Sequence, residues 1–154
     1  MLQRIQTIYL FFASAIMFSM FFLPLMEMVD AGGQYYRYNL FGIYQGTGND
    51  ARLVQSILPL RFLVFVTGFI SLFNIFLYKR RILQIRLCVF NIVMLLGFYG
   101  LFYFFYHHAT RETEVETSLR IPLVFPVIAI ILLYLAIRNI AKDELLVRSY
   151  ERIR

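Results

Sequence analysis

The chain has 154 residues, of which 60% are hydrophobic and only 16% charged, with mean hydropathy +0.69 and a formal net charge of +6. Soluble domains carry about 25% charged residues, and 17 Phe and 11 Tyr bring more bulky apolar surface than a core of this length can hide, so lipid is the expected solvent. The positive charge does not signal nucleic acid, because Lys and Arg stand in short clusters between apolar runs, as membrane-flanking charges do.

The opening stretch MLQRIQTIYLFFASAIMFSMFFLPLMEMVDAGG predicts a first span over about residues 8–26, with Pro24 in its last turn. Small residues near Val29-Asp30-Ala31 invite a signal-peptide reading. A signal peptide, however, has an apolar core of about 7–15 residues. The run here is longer, and Pro24-Leu25-Met26-Glu27 is an awkward approach to a cut after Ala31. The segment is expected to stay as an anchor.

An outer loop follows over 27–57. Gln34-Tyr35-Tyr36-Arg37-Tyr38-Asn39-Leu40-Phe41-Gly42-Ile43-Tyr44 is rich in strand formers, and Gly46-Thr47-Gly48-Asn49-Asp50 is turn chemistry. A small hairpin or sheet capping the helices is expected. Its aromatic residues Tyr35, Tyr36, Tyr38, Phe41 and Tyr44 are candidates for a partner-docking face, the alternative being tyrosines settled at headgroup level.

Three further apolar runs, at about 60–78, 87–106 and 121–137, approach the roughly 20 residues that a crossing helix needs. They are continuous, whereas strands of a membrane barrel alternate apolar and polar residues. Helices are therefore expected, in one integral membrane domain over 1–154. Counting flanks, ten Lys and Arg (Arg4, Lys79, Arg80, Arg81, Arg86, Arg138, Lys142, Arg148, Arg152, Arg154) fall on one side of the bilayer, and five (Arg37, Arg52, Arg61, Arg111, Arg120) on the other. The richer side is the cytoplasmic one by the positive-inside rule, which puts both termini and the 79–86 turn there.

Inside the spans no Asp, Glu, Lys or His occurs, so no charged midplane site for transport is visible. Counted from the 79–86 turn, Asn74 and Asn91 lie at matching depth, as do Gly68 and Gly97. Glycines let helices approach and paired amides satisfy each other in lipid, so these four are the candidate packing residues between spans two and three. The single Cys88 lies within an apolar run, where it acts as a small hydrophobe. His107-His108 beside Glu112, Glu114 and Glu116 invite a metal site, but adjacent helical residues diverge and no Cys or third His is near. A wet helix end followed by an acidic loop explains the same residues.

The tail over 138–154 continues the fourth helix. Ile140, Leu146, Val147, Tyr150 and Ile153 share one side, and Glu144, Arg148, Glu151 and Arg152 another. Glu144 precedes Arg148 by four, the favourable order for a helical ion pair. Such a helix suits a membrane surface or a partner groove. Its docking candidates are Glu144, Leu146, Arg148, Tyr150 and Ile153.

The start M-L-Q-R-I-Q-T-I-Y-L, with Gln3-Arg4-Ile5-Gln6, and the end, with Lys142-Asp143-Glu144 through Val147-Arg148-Ser149, resemble a family of small four-helix membrane proteins of Bacteroidota that is a domain of unknown function. The resemblance covers essentially the whole chain and implies a bacterial inner membrane and a four-span fold, with no activity attached. The layout is also similar to claudin-like four-helix proteins, whose Gly-Leu-Trp loop motif Gly42-Ile43-Tyr44 echoes, without its Trp or a loop disulfide.

The expectation is an all-α membrane protein, a four-transmembrane-helix bundle with a small β-prone outer loop between helices 1 and 2. No phosphate loop, nucleophile elbow, zinc motif or carboxylate pair is visible. The expected role is a non-enzymatic accessory or scaffold subunit of a larger inner-membrane complex, in protein export or envelope assembly. Its expected partners are the bilayer and other integral membrane proteins, with no cofactor and no nucleic acid. The alternative is a small-molecule transporter, or a membrane-embedded enzyme with an outer-face site near His107 and His108.

Overall fold

The computed structural model describes residues 3–30, 32–46, 51–78, 80–110 and 115–151. Four long helices, α1 (Gln3–Ser19), α2 (Leu58–Phe76), α3 (Arg81–Thr110) and α4 (Phe125–Glu151), pack as a bundle in which α1 neighbours α2 and α4, and α3 neighbours the same two. Short 3-10 turns extend α1 through Met20–Phe22 and lead into α4 through Ile121–Val124. All four helices are long and apolar enough to cross a membrane, and only 28–39% of each apolar window is buried inside the molecule. Most of the apolar surface of each helix therefore faces outward.

The helix boundaries differ from the sequence expectation in informative ways. The first span does not reach residue 26. Leu23 turns to extended backbone (φ −121°, ψ 142°), because the ring of Pro24 disfavours helical geometry in the residue before it. Prolines at the other helix starts are harmless: Pro59 sits in the first turn of α2, where its missing N–H has no helical partner to lose. α3 is longer than its apolar core on both sides, and the fourth helix runs unbroken to Glu151, so the tail is part of α4.

The all-α expectation is corrected by a five-stranded antiparallel sheet, β1 (Met26–Asp30), β2 (Tyr35–Asn39), β3 (Gly42–Gln45), β4 (Arg52–Gln55) and β5 (Val115–Leu119), in the order β4-β3-β2-β1-β5. The first four strands build the expected cap from the loop between α1 and α2. The fifth comes from the acidic connection between α3 and α4. It pairs with β1 in the register Met26↔Leu119 through Asp30↔Val115. Leu25 locks the junction, donating its N–H to the Tyr38 carbonyl at 2.9 Å and accepting from the Arg120 N–H at 3.1 Å.

Tight turns fix the register elsewhere. Gly42 opens β3 with φ +157°, and a Cβ there would lie 2.5 Å from the carbonyl oxygen of Gln55 on β4. Only glycine lets the two backbones approach so closely. The core beneath the sheet is continuous with the bundle interior, with Met20, Leu25, Met26, Tyr38, Leu40, Ile57 and Leu60 all essentially inaccessible to solvent.

Candidate functional site

Away from the sheet, polar side chains enter the bundle interior among the apolar ones. At the α2–α3 turn the Asn74 amide donates to the Gln84 carbonyl at 3.1 Å, and the Gln84 amide donates back to the Asn74 carbonyl at 3.1 Å. This reciprocal pair ties the last turn of α2 to the first turn of α3, and the Asn74 carbonyl, which also takes the Leu77 N–H at 3.2 Å, accepts through its second lone pair. Asn74 Nδ2 also lies 3.0 Å from Cys88 Sγ. Across the bundle, Gln6 on α1 donates to Asp143 on α4 at 3.3 Å, and the Arg81 guanidinium donates to the Asp143 carbonyl at 3.0 Å. All four helices are thus joined at one level by side-chain hydrogen bonds.

A second tier lies further along. Asn91 donates to the Thr67 carbonyl at 3.0 Å and to Ser71 Oγ at 2.7 Å. Ser14 on α1 donates to the Gly68 carbonyl at 3.0 Å. Helix carbonyls that already serve one turn of backbone use their second lone pair here, so the donor groups of these side chains are paired without water. The Oδ1 atoms of Asn74 and Asn91 are buried and accept no hydrogen bond among the described residues.

These contacts change the expected pairings. Asn74 and Asn91 each join α2 to α3, but through different partners and not through each other. Gly68 serves α1 rather than α3. A Cβ there would stand 3.3 Å from the Phe18 ring and 3.5 Å from Met17 Cβ. At Gly97 a Cβ would meet nothing within 4 Å, so no close helix approach depends on it within the molecule. Nothing in the spacing of the sequence points to Gln6 with Asp143, which lie 137 positions apart. The available signal is a glutamine at the start of an apolar run and an aspartate facing inward from an otherwise amphipathic tail.

Beside the first tier, a cleft of about 570 Å³ opens between the start of α1 and the end of α2. Gln6, Thr7 and Ile8 form one wall, Ile75, Phe76 and Tyr78 the other, and Gln84 the floor. A smaller cleft of about 310 Å³ lies near the sheet, between Phe21, Leu58, Arg61, Phe62 and Phe65.

The sheet carries the aromatic candidates. Tyr35, Tyr36 and Tyr44 are half-buried and Phe41 is exposed, with the Arg61 guanidinium 5.5 Å from the centre of the Phe41 ring. Tyr38 is not part of a docking face. It is 1% exposed and meets Phe102 edge-on at 5.7 Å, because alternation along β2 turns this position toward the bundle. Its hydroxyl has no partner among the described residues, and burial pushes its pKa up. Glu27 on β1 pairs with Arg120, just beyond β5. The Arg120 guanidinium, and after it the Tyr35 hydroxyl, hold the Glu27 carboxyl below its ordinary value. Burial, then the Glu27 contact, raises Tyr35.

His107 and His108 are exposed in the last turn of α3, where His107 stacks on Tyr103 at 6.0 Å. Among the described residues no three His, Cys, Asp or Glu side chains gather as a metal set. In the tail, Ile140 is fully buried in the bundle and Glu144 is half-buried. The side chains of Leu146, Arg148, Tyr150 and Ile153 lie outside the described residues.

The extent of this architecture matches a known family. The chain belongs to the family described as "Domain of unknown function (DUF4293)", whose profile matches residues 2–153. The match takes in all four helices, the sheet and both residues of the Gln6–Asp143 contact. No curated protein matches the chain.

Proposed function

We propose that this protein is a multi-pass protein of the bacterial inner membrane that serves as a non-enzymatic accessory or scaffold subunit of a larger membrane complex. The observation that carries the membrane reading is the outward surface of the four helices. Phe11, Phe62, Phe69, Phe73, Phe90, Val93, Leu96, Tyr103, Phe104, Ile131 and Tyr134 are all at least half exposed, a belt far beyond the few hundred Å² of contiguous apolar patch that soluble monomers tolerate. The ten-to-five division of Lys and Arg supports cytoplasmic termini, with the sheet on the opposite side.

The scaffold reading is supported by the sheet. Its β4 edge exposes Leu53 and Val54, and Phe41, Tyr35, Tyr36 and Tyr44 supply an aromatic surface of the kind that interfaces favour.

Resistance to alkaline carbonate extraction tests the membrane placement. In intact cells a membrane-impermeant thiol reagent should label Gly32→Cys and spare Arg80→Cys, the native Cys88 being buried. Labelling at position 80 with protection at 32 reverses the orientation. Quantitative pull-down after mild detergent extraction should recover a stoichiometric membrane partner, and recovery of the protein alone refutes the scaffold role.

A further inference from the structure

Given the membrane placement proposed above, we propose that the cleft near the sheet seats a phospholipid, its phosphate on the Arg61 guanidinium and an acyl chain along Phe62 and Phe65. Phe21, in the 3-10 turn that extends α1, forms one wall, and Leu58, Phe62 and Phe65 of α2 form the other. Arg61 stands among them as the one charged side chain of the described lining. The Phe18 ring packs against both walls, 6.4 Å from Phe21 and 6.3 Å from Phe65. The volume, about 310 Å³, is at the lower end of the roughly 300–1,000 Å³ that ligand pockets span. That suits a lipid lying partly in the cleft and partly along the outward face of α2, where Phe62 is 64% exposed.

The guanidinium is held but not neutralised. It lies 5.5 Å from the centre of the Phe41 ring, and Phe41 packs edge-on against Phe21 at 6.2 Å, so the sheet steadies Arg61 at the cleft. Stacking engages the flat face of a guanidinium and leaves its N–H edge to fork onto a phosphate. Among the described residues the Arg61 side chain meets no carboxylate, and neither α1 nor α2 contains an Asp or Glu. Glu27, Asp30 and Glu116 stand on β1 and β5, beyond β2 and β3 from the strand that leads into α2. Arg61 also lies at the right depth. α2 starts at Leu58, directly after the sheet, and a cation in the first turn of a spanning helix is level with lipid phosphates rather than with hydrocarbon.

The chain contains no Trp, so Phe62→Trp gives the full-length protein a single fluorescent reporter in the cleft. In mild non-ionic detergent it is titrated with phosphatidylglycerol or with diacylglycerol, both carrying the same brominated acyl chains. Phosphatidylglycerol should quench at about fivefold lower concentration, the worth of one Arg beside an anionic headgroup. Adding Arg61→Gln should erase that difference, Arg61→Lys should keep it, and Arg52→Gln on β4 should leave it as it is. Leu96→Trp is the control. Asn91 meets the Thr67 carbonyl, so Leu96, five positions beyond Asn91, stands near the depth of Phe62 on the exposed side of α3, and there the two lipids should quench alike. Equal quenching at Phe62→Trp overturns the proposal, as does a difference that survives Arg61→Gln, vanishes with Arg61→Lys or Arg52→Gln, or is as large at Leu96→Trp. Glycerol 1-phosphate that abolishes the difference at the lipid's own concentration assigns the cleft to a soluble phosphate ester and overturns the lipid. Extraction of the protein by alkaline carbonate would sink the membrane placement itself. A carbonate-resistant protein without the difference would sink the cleft assignment alone.

Discussion

The two ends of the bundle are held together by opposite means. Near the sheet, large apolar side chains close the interior, with the Phe102 ring in contact with both Tyr38 and Phe98, and strand ladders satisfy the backbone. Toward the α2–α3 turn, glutamine, asparagine, serine and threonine join Leu10, Cys88, Ala136 and Ile140 in the interior, each polar side chain bonded to a carbonyl or side chain of a neighbouring helix or of its own. Burial of apolar groups drives association only where the alternative is water. Between helices surrounded by lipid tails, packing and hydrogen bonds must supply the specificity. The sheet end is built as a soluble protein is built, and the turn end as a membrane protein is.

That contrast can be broken most forcefully at Tyr38. Tyr38→Ala should remove about 3–5 kcal/mol, the usual cost of excising a buried aromatic ring, whereas Tyr38→Phe should be neutral or stabilising because its hydroxyl has no described partner to lose. Thermal unfolding in mild detergent separates the two, and a large loss in Tyr38→Phe would reveal a polar role for that hydroxyl. A smaller effect is expected at the β3–β4 junction. Gly42→Ala forces a Cβ against the Gln55 carbonyl, and overpacking of this kind costs about 1–3 kcal/mol.

At the other end the same measurement should return less. Asn74→Leu and Asn91→Leu should each cost about 0.6 kcal/mol and at most about 1.7, the range of hydrogen bonds between membrane helices. Because the two amides share no partner, the double variant should be additive. A coupling larger than about 0.5 kcal/mol would show that the tiers act as one unit.

The smallest effect belongs to Glu27. Its carboxyl titrates below the ordinary 4.5 in the folded protein, so the unfolded chain binds the extra proton and stability rises with pH through this region. The contribution is complete above about 4.5 and fades as pH falls through the lowered folded value. Glu27→Gln should flatten that acid limb by lowering the melting temperature at pH 7 toward its acid value, a small loss because the Arg120 partner is exposed to solvent. An acid limb of undiminished slope in Glu27→Gln would assign it to another carboxylate.

Most of the fold was legible from continuity and punctuation. Four unbroken apolar runs mark the helices, and the Tyr-rich stretch over 34–44 marks the paired strands β2 and β3, while the turn expected at 47–50 lies outside the described residues. Two features escaped for physical reasons. Val115–Leu119 carries Glu and Thr amid other acids, and it becomes a strand because β1 offers it a ladder, not because its own propensity demands one. The Gln6–Asp143 bond depends on the two chain ends meeting in space, which no local pattern encodes. The candidate site was half visible. Asn74 and Asn91 could be singled out as buried amides, but their partners could not, since matching depth fixes a level along the bundle and not the rotation of either helix.

The place of β1 between β2 and β5 has a consequence in time. One of its edges is paired within a few residues by β2, but the other waits for Val115–Leu119, more than eighty positions further along. At about 5–20 residues per second of synthesis that wait is on the order of ten seconds. Throughout it β1 presents an open edge of the kind that recruits stray strands, and α3 must be made before the strand that closes it arrives. Substitutions that weaken Val115–Leu119 should therefore reduce the amount of protein that reaches the folded state by more than they lower the melting temperature of what does.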